Sequence, residues 1–446
     1  MMHGNESRAA LYHRFHFLLP FVYNPVVRRG WRVLVWAFWA VYFFFILAIL
    51  ALRYIVLPNV EEYRPAIERL VSEGLGQAVS IGRIEAGWAG INPDLTLLDV
   101  RVADAEGRPA LAFSRVETVL SWWSVPSGQL RLRLLNIDEP TLHLRRSSDG
   151  QLSVAGIPLS RDGSDGDVSS WILDQRHIRI RGATLVWEDA LRGAPALILE
   201  DVNFALDNVG RQHRFGLTAL PPEGLAARVD IRGDFRGADF AALKDWSGQL
   251  YAEVDYADLA VWRNWVDYPM TLPHGKGALR TWLFVAGGAL REATADVALQ
   301  DMSLKLADNL PSLDLAHMSG RLQVRFPVTG FAVKGQRVTL HTRASEGGAD
   351  SSIEPVRIDP SDFEIEWQDD GAKGFVGSAG VNRLDVGALV RLAAYLPFDA
   401  HTRKLLGDYA PRGQISGLTA HWKGNAEKLQ TYTLKAGLHD LGVKAK

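Results

Sequence analysis

Two periodicities divide this chain. From Val33 to Leu52 every position is uncharged and apolar, and twenty residues at about 1.5 Å per residue span roughly 30 Å, the hydrocarbon thickness of a bilayer. Residues 33–57 are therefore predicted to form one transmembrane helix, with Tyr54 to Leu57 extending the span if it tilts. Residues 58–78 follow as an amphipathic helix: Tyr63, Ala66, Ile67, Leu70, Val71 and Leu75 recur at three- and four-residue spacing, with Glu62, Arg69 and Glu73 between them. That helix could seal the start of the region that follows, lie on the headgroups, or serve as its first packed helix.

From Val79 the period changes to two. Leu95, Leu97, Val100 and Val102, then Leu130, Leu132 and Leu134, then Leu142 and Leu144 alternate with polar partners. The same pattern runs through Ile178–Ile180, Thr184–Glu188, Leu197–Leu206, Arg214–Leu220, Ala226–Phe235, Gln249–Asp255, Leu279–Val285, Thr294–Leu306, Gly320–Phe326 and Val338–Thr342. Turn signals separate them at Asn92–Asp94, Ala105–Gly107, Pro126–Gly128 and Asp149–Gly150. Short helices are expected only at Leu259–Val266, Asp385–Tyr395 and Ala400–Tyr409, the last two divided by Pro397. Strands this closely spaced, without long helices between them, predict a mainly β, antiparallel region over residues 79–446.

Alternation gives such a sheet one polar and one apolar face. The apolar face needs a partner: a second protein layer in a sandwich or closed barrel, or a hydrophobic ligand on an open sheet. Periodicity does not choose between them.

Charge orients the anchor. Arg8, Arg14, Arg28, Arg29 and Arg32 precede the span against a single Glu6, whereas Arg53, Glu61 and Glu62 follow it. The positive-inside rule assigns residues 1–32 to a cytoplasmic tail and everything after about Pro58 to the far side. A cleaved signal peptide fits poorly, because the apolar core is too long and no small-residue cleavage site precedes Arg53.

Composition narrows the chemistry. The 446 residues carry a net charge of −2 and no cysteine, which excludes disulfides, thiol nucleophiles and thiolate zinc sites and suits an oxidising compartment. Outside the tail no basic stripe marks a nucleic-acid surface. The segment Ser160–Ser170, rich in Gly, Asp and Ser, reads as a low-complexity loop. Asp207, Asn208 and His213, or Glu188 and Asp189, could be imagined as acid and base, but no partner spacing singles them out. His274–Gly277 lacks the spacing of a phosphate loop and reads as a turn, and no histidine pair marks a metal site. No cofactor motif is present.

The stretch Trp88–Val102 resembles the start of the exported region in the YhdP-type branch of the AsmA-like proteins. Further segments agree in order: Leu120–Ser124, Pro140–Gly150, Leu173–Ile180, Leu185–Pro195, Trp246–Glu253, Tyr268–Pro269 with Gly275 and Gly277–Leu283, and Trp422–Gly424. The resemblance implies a bacterial inner-membrane protein with a single pass. Its long, twisted periplasmic β-groove would conduct phospholipid toward the outer membrane and maintain that barrier, alongside outer-membrane or other envelope proteins. It implies no catalysis. Such proteins are much longer, and this chain stops within the strand-like segment Tyr432–Lys446, so it is expected to be the N-terminal part of one.

Residues predicted to line the groove are the apolar members of the alternating runs: Leu132, Leu134, Leu142, Leu144, Val229, Ile231, Val254, Val297, Leu299, Leu322 and Val324. The competing readings are an envelope scaffold with a closed β core and an anchored hydrolase acting on envelope polymer.

Overall fold

The structure is a computed structural model that describes residues 25–75, 77–103, 109–124, 130–154, 157–159, 171–238, 240–267, 270–343, 355–369, 374–396, 398–424 and 429–444. Most of the tail 1–32, the turns at Ala105–Gly107 and Pro126–Gly128, the Ser160–Ser170 segment and Pro397 lie outside the described residues.

Helix α1 (Pro25–Ala51) passes through a π turn at Leu52–Val56 and a 3-10 turn at Leu57–Tyr63 into α2 (Arg64–Leu75). These elements follow one another without a gap from Pro25 to Leu75. Pro58 cannot donate to the preceding turn, and Asn59 leaves helical geometry at φ −111°, ψ 26°, so the rod bends there.

Among the described residues that follow, twenty strands form one sheet. In chain order these are β1 (Val79–Ala89), β2 (Asn92–Ala103), β3 (Pro109–Leu120), β4 (Leu132–Asp138), β5 (Thr141–Arg146), β6 (Leu152–Val154), β7 (Ile157–Leu159), β8 (His177–Asp189), β9 (Leu197–Val209) and β10 (Gln212–Leu220). They continue as β11 (Val229–Arg236), β12 (Ser247–Asp258), β13 (Thr271–Ala286), β14 (Ala289–Lys305), β15 (Leu313–Arg325), β16 (Phe331–Thr342), β17 (Arg357–Asp369), β18 (Phe375–Asp385), β19 (Arg412–Gly424) and β20 (Leu429–Gly442). Short helices α3 (Leu259–Trp262), α4 (Val386–Leu392) and α5 (Ala400–Tyr409) start on the side chains of Asp258, Asp385 and Asp399, which accept backbone N–H bonds at each first turn.

Almost every pairing is antiparallel. The exception is β8, which runs parallel to both β4 and β5 (Leu135 opposite Ile178, Leu142 opposite Leu185): β5 continues the line of β4 along β8, and β6 and β7 fold back on β5 before the chain returns. His274 to Gly277, expected as a turn, lies inside β13. There Gly277 admits the close approach of β14: a Cβ would sit 2.6 Å from both the Ala298 carbonyl oxygen and Leu299 Cδ2.

Among the described residues β1 pairs only with β2 and β20 only with β19, so the sheet stays open. Asp201, Asp301 and Asp440 take left-handed backbone where the pairing slips, bulges that bend the strands. One rim of the sheet consists mainly of tight hairpins, such as those at Gly90, Gly210 and Gly287–Gly288. The opposite rim carries α2, α3, α4, α5 and longer connections.

The first edge is covered by the helical rod. Glu68 Oε1 accepts the Ile81 N–H at 2.7 Å, Glu61 Oε1 the Ile84 N–H at 2.8 Å and Ser72 Oγ the Val79 N–H at 2.9 Å, while Arg64 donates to the Gly82 carbonyl at 2.9 Å. One helical stripe thus supplies the hydrogen bonds that a neighbouring strand would make. Leu57, Val60, Ile67 and Val71 pack from the same rod onto Ile81, Ile84, Leu97 and Val100.

Candidate functional site

Cross-strand partners share a face, so register fixes which side chains line each side of the sheet. From the first edge the pairs run Ile84, Leu97, Val116, Ile137, Ile180, Phe204 and Leu217. They continue through Ile231, Ala252, Thr281, Ala295, Leu322, Gly335, Phe363, Val381 and Leu418. This single row crosses sixteen strands, β1 to β4 and β8 to β19. At about 4.8 Å per strand it is roughly 70 Å long. Thr281 is its one polar member.

Burial along the row is uneven. Ile84 is 3% exposed beneath the helical rod. Along the row from β11 to β15 no covering layer is found among the described residues, and Ile231, Ala252, Ala295 and Leu322 are only half-buried. Toward the far rim α4 roofs a local core in which Ala388 and Leu392 pack with Leu272, Met302, Leu304, Leu313, Leu315 and Val356.

Aromatic rings pave this face. Phe215 lies over Gly233, Phe363 over Gly335 and Trp422 over Gly377, each ring opposite the glycine it covers. A Cβ on those glycines would come within 2.2–2.3 Å of the ring. The ring replaces the missing side chain, so the surface stays shallow. Phe204, Phe215 and Phe235 continue ring to ring at 6.4 and 6.2 Å, and Trp367 links Phe331 and Phe375 at 6.0 and 6.5 Å.

The next row, one residue along each strand, is polar. Thr218, Asp230, Glu253, Arg280, Asp296, Arg321 and Gln336 are successive partners on the other face. Arg321 pairs with Asp296 at 2.6 Å and Arg280 with Glu253, and both guanidinium groups are held more firmly protonated by those partners. The Asp296 carboxyl is lowered by the Arg321 bond. Glu253 is lowered first by the Tyr251 hydroxyl, which donates to it at 2.5 Å, and then by Arg280.

Of the residues predicted to line the groove, Val229, Ile231, Val254, Val297, Leu299, Leu322 and Val324 lie together on the apolar face. Leu142 and Leu144 join it through Leu185 and Trp187, and Leu132 through Leu120. Leu134 does not. The register slips between Val119 and Leu120, so Leu134 pairs with Val119 on the opposite face. Sequence reasoning missed Ile84, Leu97 and Val116 at the start of the row, and also the ring-covered glycines. A glycine on the apolar beat of an alternating strand was the available signal for the latter.

Of the imagined acid and base groups, Asp189, Asp207, Asn208 and His213 are spoken for. Asp189, 3% exposed, receives Arg146 Nε and Nη2 at 2.9 and 2.5 Å. Burial pushes the Asp207 carboxyl up, but His177 and Arg179, each at 2.6 Å, outweigh it and hold it low. Buried His213 is depressed by desolvation and bonds Asn208 at 2.7 Å. Among the described residues no cluster of three or more His, Asp or Glu is arranged to hold a metal ion.

The family described as YhdP protein matches residues 21–446. The chain belongs to the YhdP family. It is also similar to the intermembrane phospholipid transporter YhdP of Escherichia coli (strain K12), 21% identical over 299 residues, covering 66% of this chain. The match covers 23% of that YhdP protein, so this chain spans about a quarter of the relative's length. No solved structure matches.

Proposed function

We propose that this protein is anchored in the bacterial inner membrane by α1, extends into the periplasm, and conducts phospholipid toward the outer membrane with acyl chains lying along the sixteen-strand apolar row. The row is the observation that carries this reading: it is continuous, apolar and half-open, as a path for hydrocarbon beside water must be. Withdrawing a sixteen-carbon tail into water costs on the order of 12 kcal/mol, at about 0.8 kcal/mol per CH₂. A continuous apolar face removes most of that barrier while the headgroup stays wet, and it asks for no catalytic residue. The similarity to an intermembrane phospholipid transporter supports the cargo, and the arginine-rich tail before the span supports the orientation.

The test is photo-crosslinking in living cells, with the reactive side chain at Ile231, Val297 or Leu322 and at Asp230 or Arg321 on the other face. Lipid adducts confined to the first three are the expected result. Adducts to protein alone at those positions would instead mean that another layer covers the face, as in a scaffold, and would sink the proposal.

A further inference from the structure

The anchor and the sheet overlap in depth. Because β1 runs back along the helical rod, its far end returns toward the membrane: Arg53, the first charge after the span, lies 5.6 Å from the Trp88 ring, and Phe45 meets Trp122 at 5.4 Å. Phe45 precedes Arg53 by eight residues, which at about 1.5 Å each places it roughly 12 Å deeper along the helix. The half-thickness of the hydrocarbon layer is about 15 Å.

Two hairpin ends sit at that level. Trp122 Nε1 donates to the Ile91 carbonyl at 3.0 Å, tying the β3–β4 connection to the β1–β2 turn. Both ends are built for an apolar medium: Ile91 is 75% exposed and Trp123 71% exposed. No charged residue occurs from Ala86 to Pro93 or from Thr118 to Leu130. Large apolar groups held out in water by a tight turn have no folding rationale, whereas in lipid they bind.

We infer that the turns bearing Ile91 and Trp122–Trp123 insert into the leaflet on the sheet side of the membrane, next to α1, so that β1 to β3 begin within the acyl layer. The occupant of this surface is the bilayer that holds the anchor. The inference rests on α1 crossing a membrane, as proposed above, and not on lipid moving along the row. Its consequence is local: Trp88 and Pro93, paired on the apolar face, lie between the hairpin tips and Ile84, so that face starts among lipid tails instead of above the headgroups.

The chain has no cysteine, so single-cysteine variants Ile91→Cys, Trp123→Cys, Val41→Cys and Leu191→Cys of the full chain can each carry a polarity-sensitive fluorophore. They are reconstituted into phosphatidylethanolamine–phosphatidylglycerol vesicles with spin labels placed at either headgroup or mid-chain depth. Leu191, 52% exposed on the opposite rim, reports water, and Val41 reports the span. Mid-chain quenching at positions 91 and 123 several-fold above that at 191, and close to that at 41, is expected. Quenching at 41 but not at 91 or 123 overturns the inference and leaves the anchor intact. No quenching at 41 removes the anchor and the inference together.

Discussion

The same apolar row is a sealed core at one end and an open surface in the middle. At the first edge Ile84, Leu97, Val100 and Val116 are 3–8% exposed because the helical rod lies over them. Seven to eleven strands further on, Ile231, Ala295 and Leu322 have the same alternation and the same register but no roof among the described residues, and are half-buried. Side-chain type does not distinguish these regions. What covers them does. At the first end the row serves stability and fixes the helical rod to the sheet, and in the middle it stays open on one side.

Splitting the row tests that contrast most severely. Leu322→Glu combined with Ala295→Glu places two charges on adjacent strands of the open stretch, and lipid adducts at Phe363 are expected to fall by about tenfold or more, since each desolvated carboxylate costs several kcal/mol. Adducts at Leu217, on the anchor side of the block, should persist. Equal loss at both positions would show that the row is not a path.

Truncations compare the two regions directly. Ile84→Ala is expected to cost about 3 kcal/mol, the range for a fully buried large-to-small change. Ile231→Ala, already half in water, should cost about 1 kcal/mol. Urea unfolding followed by circular dichroism measures both, and equal costs would mean that the middle of the sheet is as well covered as its edge.

Gly233→Ala drives a methyl group into the Phe215 ring and should destabilise by about 1–3 kcal/mol through displaced packing. Phe215→Ala in the same chain should recover part of that loss, and a failure to recover it would show that the ring is not what occupies the space. Glu68→Ala leaves the Ile81 N–H without its acceptor, at about 1–2 kcal/mol. Hydrogen exchange should then quicken at Ile81 and Ile84 but not at Ile231.

The smallest expected effect is a pH dependence. Desolvation lowers the pKa of His213 in the fold, so below its ordinary value of about 6.5 the unfolded chain binds a proton that the folded chain does not. Stability is complete above that pH and declines as pH falls below it. His213→Gln should flatten the slope between pH 7.5 and 5.5 in the same unfolding assay.

Much of this was legible in the sequence because burial on one face writes a period of two. The strands from β8 to β16 and most of the apolar face followed from that period, whereas the N-terminal helix followed from an unbroken apolar run and the short helices from the lapse of alternation. β3, β17, β18 and β19 did not stand out. Pro360 and three aspartates interrupt β17, and in β18 and β19 the apolar beats are filled by the small residues Gly377, Ala379 and Ala420, the first of them covered by the Trp422 ring. Leu134 was placed on the wrong face because a one-residue slip between neighbouring strands leaves no mark on either strand's own pattern. The parallel returns of β8 were equally silent, since pairing direction depends on where the β5–β7 excursion folds. The difference between core and surface was invisible for a simpler reason: it belongs to α2 and α4, which supply the roofs, and not to the strands beneath them.

The shallow paving of the open face sets the motion of anything that rests on it. A hydrocarbon tail advancing by one strand gives up about 4.8 Å of apolar contact and gains nearly the same. The ripple between neighbouring positions is then on the order of a single CH₂, about 0.8 kcal/mol and close to thermal energy. Travel on such a surface is a random walk with little friction and no preferred heading. Net flux would be decided at the ends, by supply and removal, and the sheet itself would act as a rail rather than a motor.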